Sequence, residues 1–218
     1  MIRFSASALG MCVLVALSLP GTSTQEAVIR TASSFLSPGT RFSTLVRSDS
    51  HTGSTIASQP AVLAGHLLSP DSDDIVFASA NESKDKNAST LFLTTLHKFP
   101  NGYAIIFQKS YYQRFLWGQD FRTVGLRLVR LPDDSTDSIL VITARGASLG
   151  AQVELYRWQR GVGMTNIMPD HPMAHRVSIV EGKGQFILKL AFQQYAGQKG
   201  IPEPIVYRWD GRQMIRAG

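Results

Sequence analysis

The sequence predicts a mainly β protein of repeated antiparallel sheets, with one short helix near its start. Short runs of β-branched and aromatic residues recur between turn-forming residues, as at residues 75–78 and 139–142, which is typical of strands. Polar and apolar residues alternate with a period of two at residues 153–158 and 205–209, and this period places successive side chains on opposite faces of a strand. No long amphipathic helical pattern follows residue 36, so helices contribute little to the predicted fold.

The chain begins with the three parts of a secretory signal peptide. Arg3 supplies a positive charge, residues 6–19 form an almost continuous apolar stretch, and Pro20-Gly21-Thr22-Ser23 contains helix-breaking and small residues. The apolar stretch is shorter than the roughly 20 residues that cross a bilayer as a helix. We therefore predict a cleavable signal peptide at residues 1–23, a secreted or periplasmic protein, and no transmembrane segment after cleavage.

Cysteine content and charge restrict the chemistry of the mature protein. The single cysteine, Cys12, lies inside the predicted signal peptide, so the mature chain would have neither disulfides nor thiol chemistry. Removing Arg3 from the formal net charge of +6 leaves +5, and no run of five or more basic residues occurs. Nucleic-acid binding usually requires clustered basic residues, so we expect none. The predicted partner is an unknown protein or an anionic envelope polymer attracted by a basic surface.

Residues 24–61 separate the signal peptide from the repeated part of the chain. A short helix is predicted at residues 25–36, because Ser37-Pro38-Gly39 follows and ends a helix. Residues 41–60 are rich in Ser and Thr. We predict an extended arm there, with one strand at residues 42–46.

Residues 62–218 contain a repeated pattern and are predicted to form one β-repeat domain. In each unit an acidic or glycine-bearing turn precedes a buried strand, and a variable loop then leads to a strand that ends in a polar turn. The three units open and close at residues 67–78 and 93–98, 130–141 and 154–159, and 181–188 and 206–211.

At these residues the chain resembles the FG-GAP or VCBS-type repeats of β-propellers, which occur in integrin α-subunit heads and many secreted bacterial proteins. In that family each unit is a four-stranded blade with an Asp-rich turn before a strand and often a Tyr-x-Trp-x-Gly strand. The resemblance covers residues 62–218 and implies a partial or atypical propeller, because three units are fewer than the about 4 to 8 blades of a closed one. The resemblance is also compatible with a homo-oligomer.

The Asp-rich turns are candidate calcium sites, because the resembled family binds calcium in an Asp-x-Asp-x-Asp-Gly loop. The candidate ligands are Asp71 and Asp73 in one turn, and Asp133 and Asp137 in the next. Neither turn has the glycine that lets such a loop fold around the ion, nor a clear distal carboxylate. Asp and Ser also begin turns by bonding their own backbone. We therefore predict no cofactor, with a calcium-stabilised propeller fragment as the alternative.

The motif Gly146-Ala147-Ser148-Leu149-Gly150 matches a Gly-x-Ser-x-Gly nucleophile elbow, and Asp170 and His175 follow in the order of an α/β-hydrolase. Such an elbow opens a helix, whereas residues 153–158 alternate like a strand. Asp170 and His175 are also closer in sequence than separate catalytic loops would place them. We therefore expect no enzyme, and a secreted serine hydrolase using Ser148 is the alternative.

A dense aromatic and basic stretch at residues 107–117 lies outside the repeat pattern. We predict a binding loop there, and the alternative is an inter-blade connection that packs on a sheet. The main functional prediction is a secreted, non-catalytic β-repeat module for binding or scaffolding. The candidate ligand-binding residues are Tyr111, Tyr112, Arg114, Phe115 and Trp117.

Overall fold

The computed structural model describes residues 22–48, 55–81, 88–114, 123–144, 150–182, 184–192 and 203–217. Most of these residues form strands, and one short helix precedes the first strand. The first elements are α1 (Thr22–Ser33), β1 (Thr40–Phe42), β2 (Thr44–Ser48), β3 (Thr55–Pro60), β4 (Val62–Gly65), β5 (Asp74–Asn81), β6 (Ala88–Phe99), β7 (Gly102–Arg114) and β8 (Thr123–Arg130). The later elements are β9 (Asp137–Ala144), β10 (Ala151–Gln159), β11 (Gly163–Asn166), β12 (Met173–Ala174), β13 (Arg176–Gly182), β14 (Gln185–Ala191), β15 (Ile205–Trp209) and β16 (Met214–Ala217).

The strands form three sheets, each built around a meander of four consecutive antiparallel strands. The first sheet contains the meander β4–β7, with β1 also paired to β5. The second sheet contains the meander β8–β11, with β12 paired to β10 and the β2–β3 hairpin joined to β8 by a short parallel ladder. The third sheet is the meander β13–β16. The predicted mainly β class with repeated antiparallel sheets is confirmed.

The helix and the sheets pack on one another in chain order. α1 packs on one face of the first sheet, against Ile75 and Phe77. The other face of the first sheet shares a core with the second sheet, and the opposite face of the second sheet shares a core with the third. Central strands are therefore buried on both faces: in β5, Val76 and Ala78 face the second sheet, whereas Ile75 and Phe77 face α1. This double burial explains the continuous apolar runs in the sequence.

The predicted short helix is present as α1, shifted towards the N-terminus relative to the predicted residues 25–36. Within residues 41–60, predicted as an arm with one strand, the described residues 41–48 and 55–60 contribute to β1, β2 and β3. The chain changes sheets at Ser43, whose amide donates to Ala78 O of the first sheet at 2.9 Å. The sequence predicts only one of these strands, because they are short and their many Ser and Thr residues pair through the backbone, which leaves no apolar pattern.

The described part of the chain contains no helix that is long and apolar enough to span a membrane. α1, its single helix, has 12 residues. The predicted signal peptide at residues 1–23 lies almost entirely outside the described residues and stays a prediction.

Candidate functional site

A cluster of ionisable side chains lies between the first and second sheets, around Glu154. Side chains of β10 alternate, so Val153 and Leu155 enter the core shared with the third sheet while Glu154 points towards the first sheet. β7 of the first sheet brings Lys109 to the same place. The Glu154 side chain is only 1 % exposed, and a buried charge of this kind requires close partners.

Hydrogen-bonding side chains surround the Glu154 carboxylate. Lys109 Nζ donates to Oε1 at 2.9 Å, and Gln152 Nε2 donates to the same oxygen at 3.0 Å. Tyr156 OH donates to Oε2 at 3.1 Å, and His171 Nδ1 lies 3.2 Å from Oε1. An ionised carboxylate has about four lone-pair sites, so these neighbours occupy its acceptor capacity. We refer to Lys109, Tyr111, Gln152, Glu154, Tyr156 and His171 as the Glu154 cluster.

The two tyrosines extend the Glu154 cluster into the core. Tyr156 OH accepts a hydrogen bond from Lys109 Nζ at 2.6 Å and lies 3.2 Å from Tyr111 OH. The Lys109 ammonium also lies 5.2 Å from the ring centre of Tyr111 and 5.3 Å from that of Tyr156, within cation–π range. The aromatic rings thus shield the ion pair while their hydroxyls complete its hydrogen bonds.

Electrostatics keep Glu154 ionised. Burial by itself would raise the pKa of Glu154, but hydrogen bonds from Tyr111 and Lys109 and the positive charge of Lys109 lower it below its usual value. Burial would likewise lower the pKa of Lys109, yet the hydrogen bonds with Tyr156 and Glu154 raise it. Burial also raises the pKa of Tyr111 well above its usual value. A carboxylate with a lowered pKa and filled acceptor sites is poorly suited to general acid–base catalysis at neutral pH.

A strained turn supplies the exposed rim of the Glu154 cluster. Asp170 and His171 have φ angles of 54° and 43°, a left-handed conformation that is uncommon for residues other than glycine. The His171 side chain is 61 % exposed although its ring nitrogen reaches the buried carboxylate. The contact between His171 Nδ1 and the Glu154 carboxylate is one interaction that opposes relaxation of this strained turn.

Asp74 organises a second buried polar group, at the start of β5. Its Oδ2 accepts hydrogen bonds from the amides of Leu67 at 2.6 Å and Leu68 at 3.1 Å, and from Ser72 Oγ at 2.5 Å. Its Oδ1 lies 2.7 Å from His97 Nδ1 on the neighbouring strand. The carboxylate therefore stabilises the acidic turn itself, which is the turn-forming role that Asp and Ser often have.

The candidate calcium ligands are not assembled into a metal site in the described residues. Asp73 accepts a hydrogen bond from Lys98 Nζ at 2.9 Å, and Asp137 pairs with Arg130 at 2.9 Å and with the His66 amide. Asp71 and Asp133 are exposed. No group of three His, Cys, Asp or Glu side chains suited to a metal ion occurs within the described ranges.

Of the candidate catalytic residues, the structure describes Asp170 and His175. Ser148 lies outside the described residues. The segment containing it connects β9 and β10, two antiparallel strands paired through Ala144 and Ala151, whereas a nucleophile elbow is followed by a helix. His175 donates its amide to Ala191 O at 2.9 Å and places its ring against Phe192. The serine hydrolase stays an untested alternative.

Residues 107–114 of the predicted binding loop instead form the second half of β7, and the binding role of this stretch stays a prediction. Tyr111 is 4 % exposed and belongs to the Glu154 cluster. Tyr112 and Arg114 lie on β7, opposite Thr90 and Ala88. Phe115 and Trp117 lie outside the described residues. Phe107, Lys109 and Tyr111 alternate with polar residues, as the residues of a strand do. The lysine interrupts the apolar side of this alternation, so the strand is hard to recognise from the sequence unless the buried partner of Lys109 is known.

One face of the third sheet is turned away from the rest of the stack. Directly paired residues of an antiparallel sheet share a face, and those facing the second sheet include Phe186, Leu188 and Tyr207. The opposite face, here called the open face, consists of two cross-strand rows: Val180, Ile187, Arg208 and Ile215, and Ser178, Lys189, Val206 and Ala217.

The open face combines apolar and basic groups. Val180 is 45 % exposed and Ile215 is 43 % exposed, whereas Ile187 and Val206 on the same face are partly buried. No salt bridge within the described residues engages Lys189 or Arg208. Residues 176–218 contain seven Lys or Arg against three Asp or Glu, which is four of the six net positive charges of the protein. The excess positive charge is thus concentrated in the part of the chain that forms the third sheet.

No protein-family model matches the chain, and no curated protein matches it. Its function is therefore inferred from the geometry of its own residues.

Proposed function

We propose that the protein is an exported, non-catalytic β-repeat module that binds or scaffolds a partner through the open face of the third sheet. One observation carries this proposal. α1 packs on the outer face of the first sheet, whereas the open face keeps exposed aliphatic side chains at Val180 and Ile215. A contiguous group of exposed apolar side chains can mark an interaction surface in a soluble protein.

An open propeller-like arrangement is part of the proposal. The meanders β4–β7, β8–β11 and β13–β16 each have four strands and pack face to face in chain order, which resembles the stacking of blades. α1 occupies the position on the first sheet where a further blade would pack. Stacked repeats need such a cap, and α1 would supply it at the first sheet, whereas the open face keeps Val180 and Ile215 exposed.

The state of the acidic groups supports a non-catalytic module. Glu154 and Asp74 are buried and hydrogen-bonded, and Arg157 Nε donates to Asp134 Oδ2 at 2.8 Å. The same arginine lies over the Trp209 ring, 5.3 Å from its centre, so this pair links the second and third sheets. These carboxylates stabilise turns and sheet contacts rather than remain available to a substrate.

Co-purification from the cells that produce the protein tests the proposal. We expect the exported protein to begin at Thr24 on N-terminal sequencing, and to carry a stoichiometric partner that the Val180→Glu/Ile215→Glu variant loses. Arg160→Glu, at an exposed turn of the second sheet, is the matched control and should keep the partner. The proposal is contradicted if the wild-type protein is recovered alone, or if it hydrolyses esters and loses that activity on Ser148→Ala substitution.

A further inference from the structure

The basic side chains of the open face lie among its apolar side chains rather than around their edge. Arg208 stands between Ile187 and Ile215 in one cross-strand row, and Lys189 stands beside Val206 in the other. Directly paired side chains of a sheet are about 5 Å apart. A partner that covers the exposed aliphatic side chains must therefore also cover these charges, and burial of an unpaired charge is costly.

A second copy of the chain does not meet this requirement. Pairing two open faces about a two-fold axis would set Arg208 and Lys189 of one copy near the same residues of the other, and juxtaposed like charges oppose association. Head-to-tail contact would place the open face against α1 of the next copy. α1 carries Glu26 and Arg30 in its exposed surface, so it offers no excess negative charge.

Polymers and membranes fit the open face less well than a protein. A polyanion would neutralise Arg208 and Lys189, but it would leave Val180 and Ile215 in contact with water or with polar groups. Membrane-surface proteins commonly insert Trp or Tyr at the interface, and the open face has neither residue. The β-branched side chains of the open face are short and belong to a hydrogen-bonded sheet, so they would not reach deeply into a membrane.

We infer that the open face docks an acidic protein, which contributes an apolar strip to Val180, Ile187 and Ile215 and carboxylates to Arg208 and Lys189. This inference rests on the proposed binding function and names the chemistry of the partner. Arginine favours paired hydrogen bonds to a carboxylate, so Arg208 would set the position of one acidic side chain. α1 on the first sheet illustrates, within this chain, how a helix can cover such a sheet face.

Site-specific photo-crosslinking in the producing cells tests this inference. A photoreactive phenylalanine analogue replaces Ile215 in the full chain, and the cross-linked segment is identified by mass spectrometry. We expect a protein segment rich in Asp and Glu with interspersed apolar residues. Arg208→Glu and Lys189→Glu should each lower the adduct yield about tenfold, whereas Arg160→Glu should leave it unchanged. Thermal melting of each variant checks that the fold is retained.

The outcomes separate this inference from the proposed function. An adduct with a second copy, a lipid, a polysaccharide or a neutral or basic protein segment overturns the inference, as does a yield that both charge reversals leave unchanged. If a partner co-purifies, is lost in the Val180→Glu/Ile215→Glu variant and cross-links at Ile215 through a segment that is not acidic, the inference fails and the proposed function stands. If no partner co-purifies and Ile215 gives no adduct, both fail.

Discussion

At the scale of single residues, Glu154 shows how a charged side chain is accommodated between two packed sheets. The carboxylate is almost fully buried, and Lys109, Gln152, Tyr156 and His171 surround it. Lys109 keeps 33 % of its side chain exposed, so water solvates part of one partner while the protein solvates the other. The pair thereby joins β7 to β10 without the full cost of burying two ions.

Replacing Glu154 by Gln should destabilise the protein. The substitution removes the charge that Lys109 pairs with and replaces one acceptor oxygen by an NH2 group, so a buried donor loses its acceptor, which costs about 1–3 kcal/mol. Glu181→Gln is the matched control, because Glu181 also pairs with a cation, Arg127 at 3.2 Å, but at the surface, where such a pair contributes about 0–1 kcal/mol. Urea unfolding measures both losses in free energy. Equal losses for the two variants would contradict a special role for the buried carboxylate.

The contribution of Glu154 should depend on pH with a definite sign. Its folded-state pKa is lowered, so its stabilisation is present above the unfolded pKa of about 4.3 and is lost as pH falls through the folded value. The folded-state pKa of Lys109 is raised, so its stabilisation is present below about 10.4 and is lost as pH rises through the folded value.

Urea unfolding of His171→Asn and of the double variant Glu154→Gln/His171→Asn between pH 3 and pH 10, about the interval set by these two unfolded-state values, measures this dependence. We expect the difference in unfolding free energy to shrink below about pH 4. Both chains carry His171→Asn in this series, because the imidazole also faces the carboxylate. A difference that grows on acidification would show that the carboxylate is not held ionised by its neighbours.

At the scale of elements, α1 matters because it covers a sheet face that would otherwise meet water. Ala32 is fully buried against the first sheet, near Ile75 and Phe77. Partly buried Val28 and Ile29 lie on the same side of the helix. The role of α1 is therefore that of a cap on the stack, although the helix alone, with 12 residues, is too short to be stable in water without this contact.

Ala32→Glu should disrupt this cap, whereas Ala27→Glu on the exposed side of the same helix should not. The first change forces a charged side chain into a closed contact and should cost about 3 kcal/mol or more. The second should change stability by less than about 0.5 kcal/mol. Thermal unfolding of the two variants measures the contrast. Similar melting temperatures would mean that the helix does not contribute to the folded core.

At the scale of the whole molecule, stability is expected to come from the stacked sheets and not from a bound ion. Asp73 and Asp137 already pair with Lys98 and Arg130, so a cation would have to displace existing partners. We therefore expect the melting temperature to change by less than about 1 °C between excess EDTA and millimolar calcium, since a ligand stabilises a fold only when it binds the folded state. A clear rise with calcium, absent with magnesium, would support the calcium-stabilised alternative.

The candidate site was less predictable from the sequence than the strands were. Tyr111 and Lys109 lie in the aromatic and basic stretch predicted to be functional, whereas nothing in the sequence linked Lys109 to Glu154. Their separation of 45 positions in the chain has no local signature. The period-two alternation of β10 places Glu154 on a strand face, but it does not indicate which sheet that face meets.

By itself the sequence determined the mainly β class, the positions of several central strands and the short helix, because these follow from local side-chain periodicity and turn residues. Only the tertiary structure decided that residues 40–60 complete two different sheets, that residues 107–114 are a strand with a buried lysine, and that the third sheet keeps one face open. Backbone pairing and sheet stacking are long-range contacts, and nothing in the local pattern of a strand specifies what covers each of its faces.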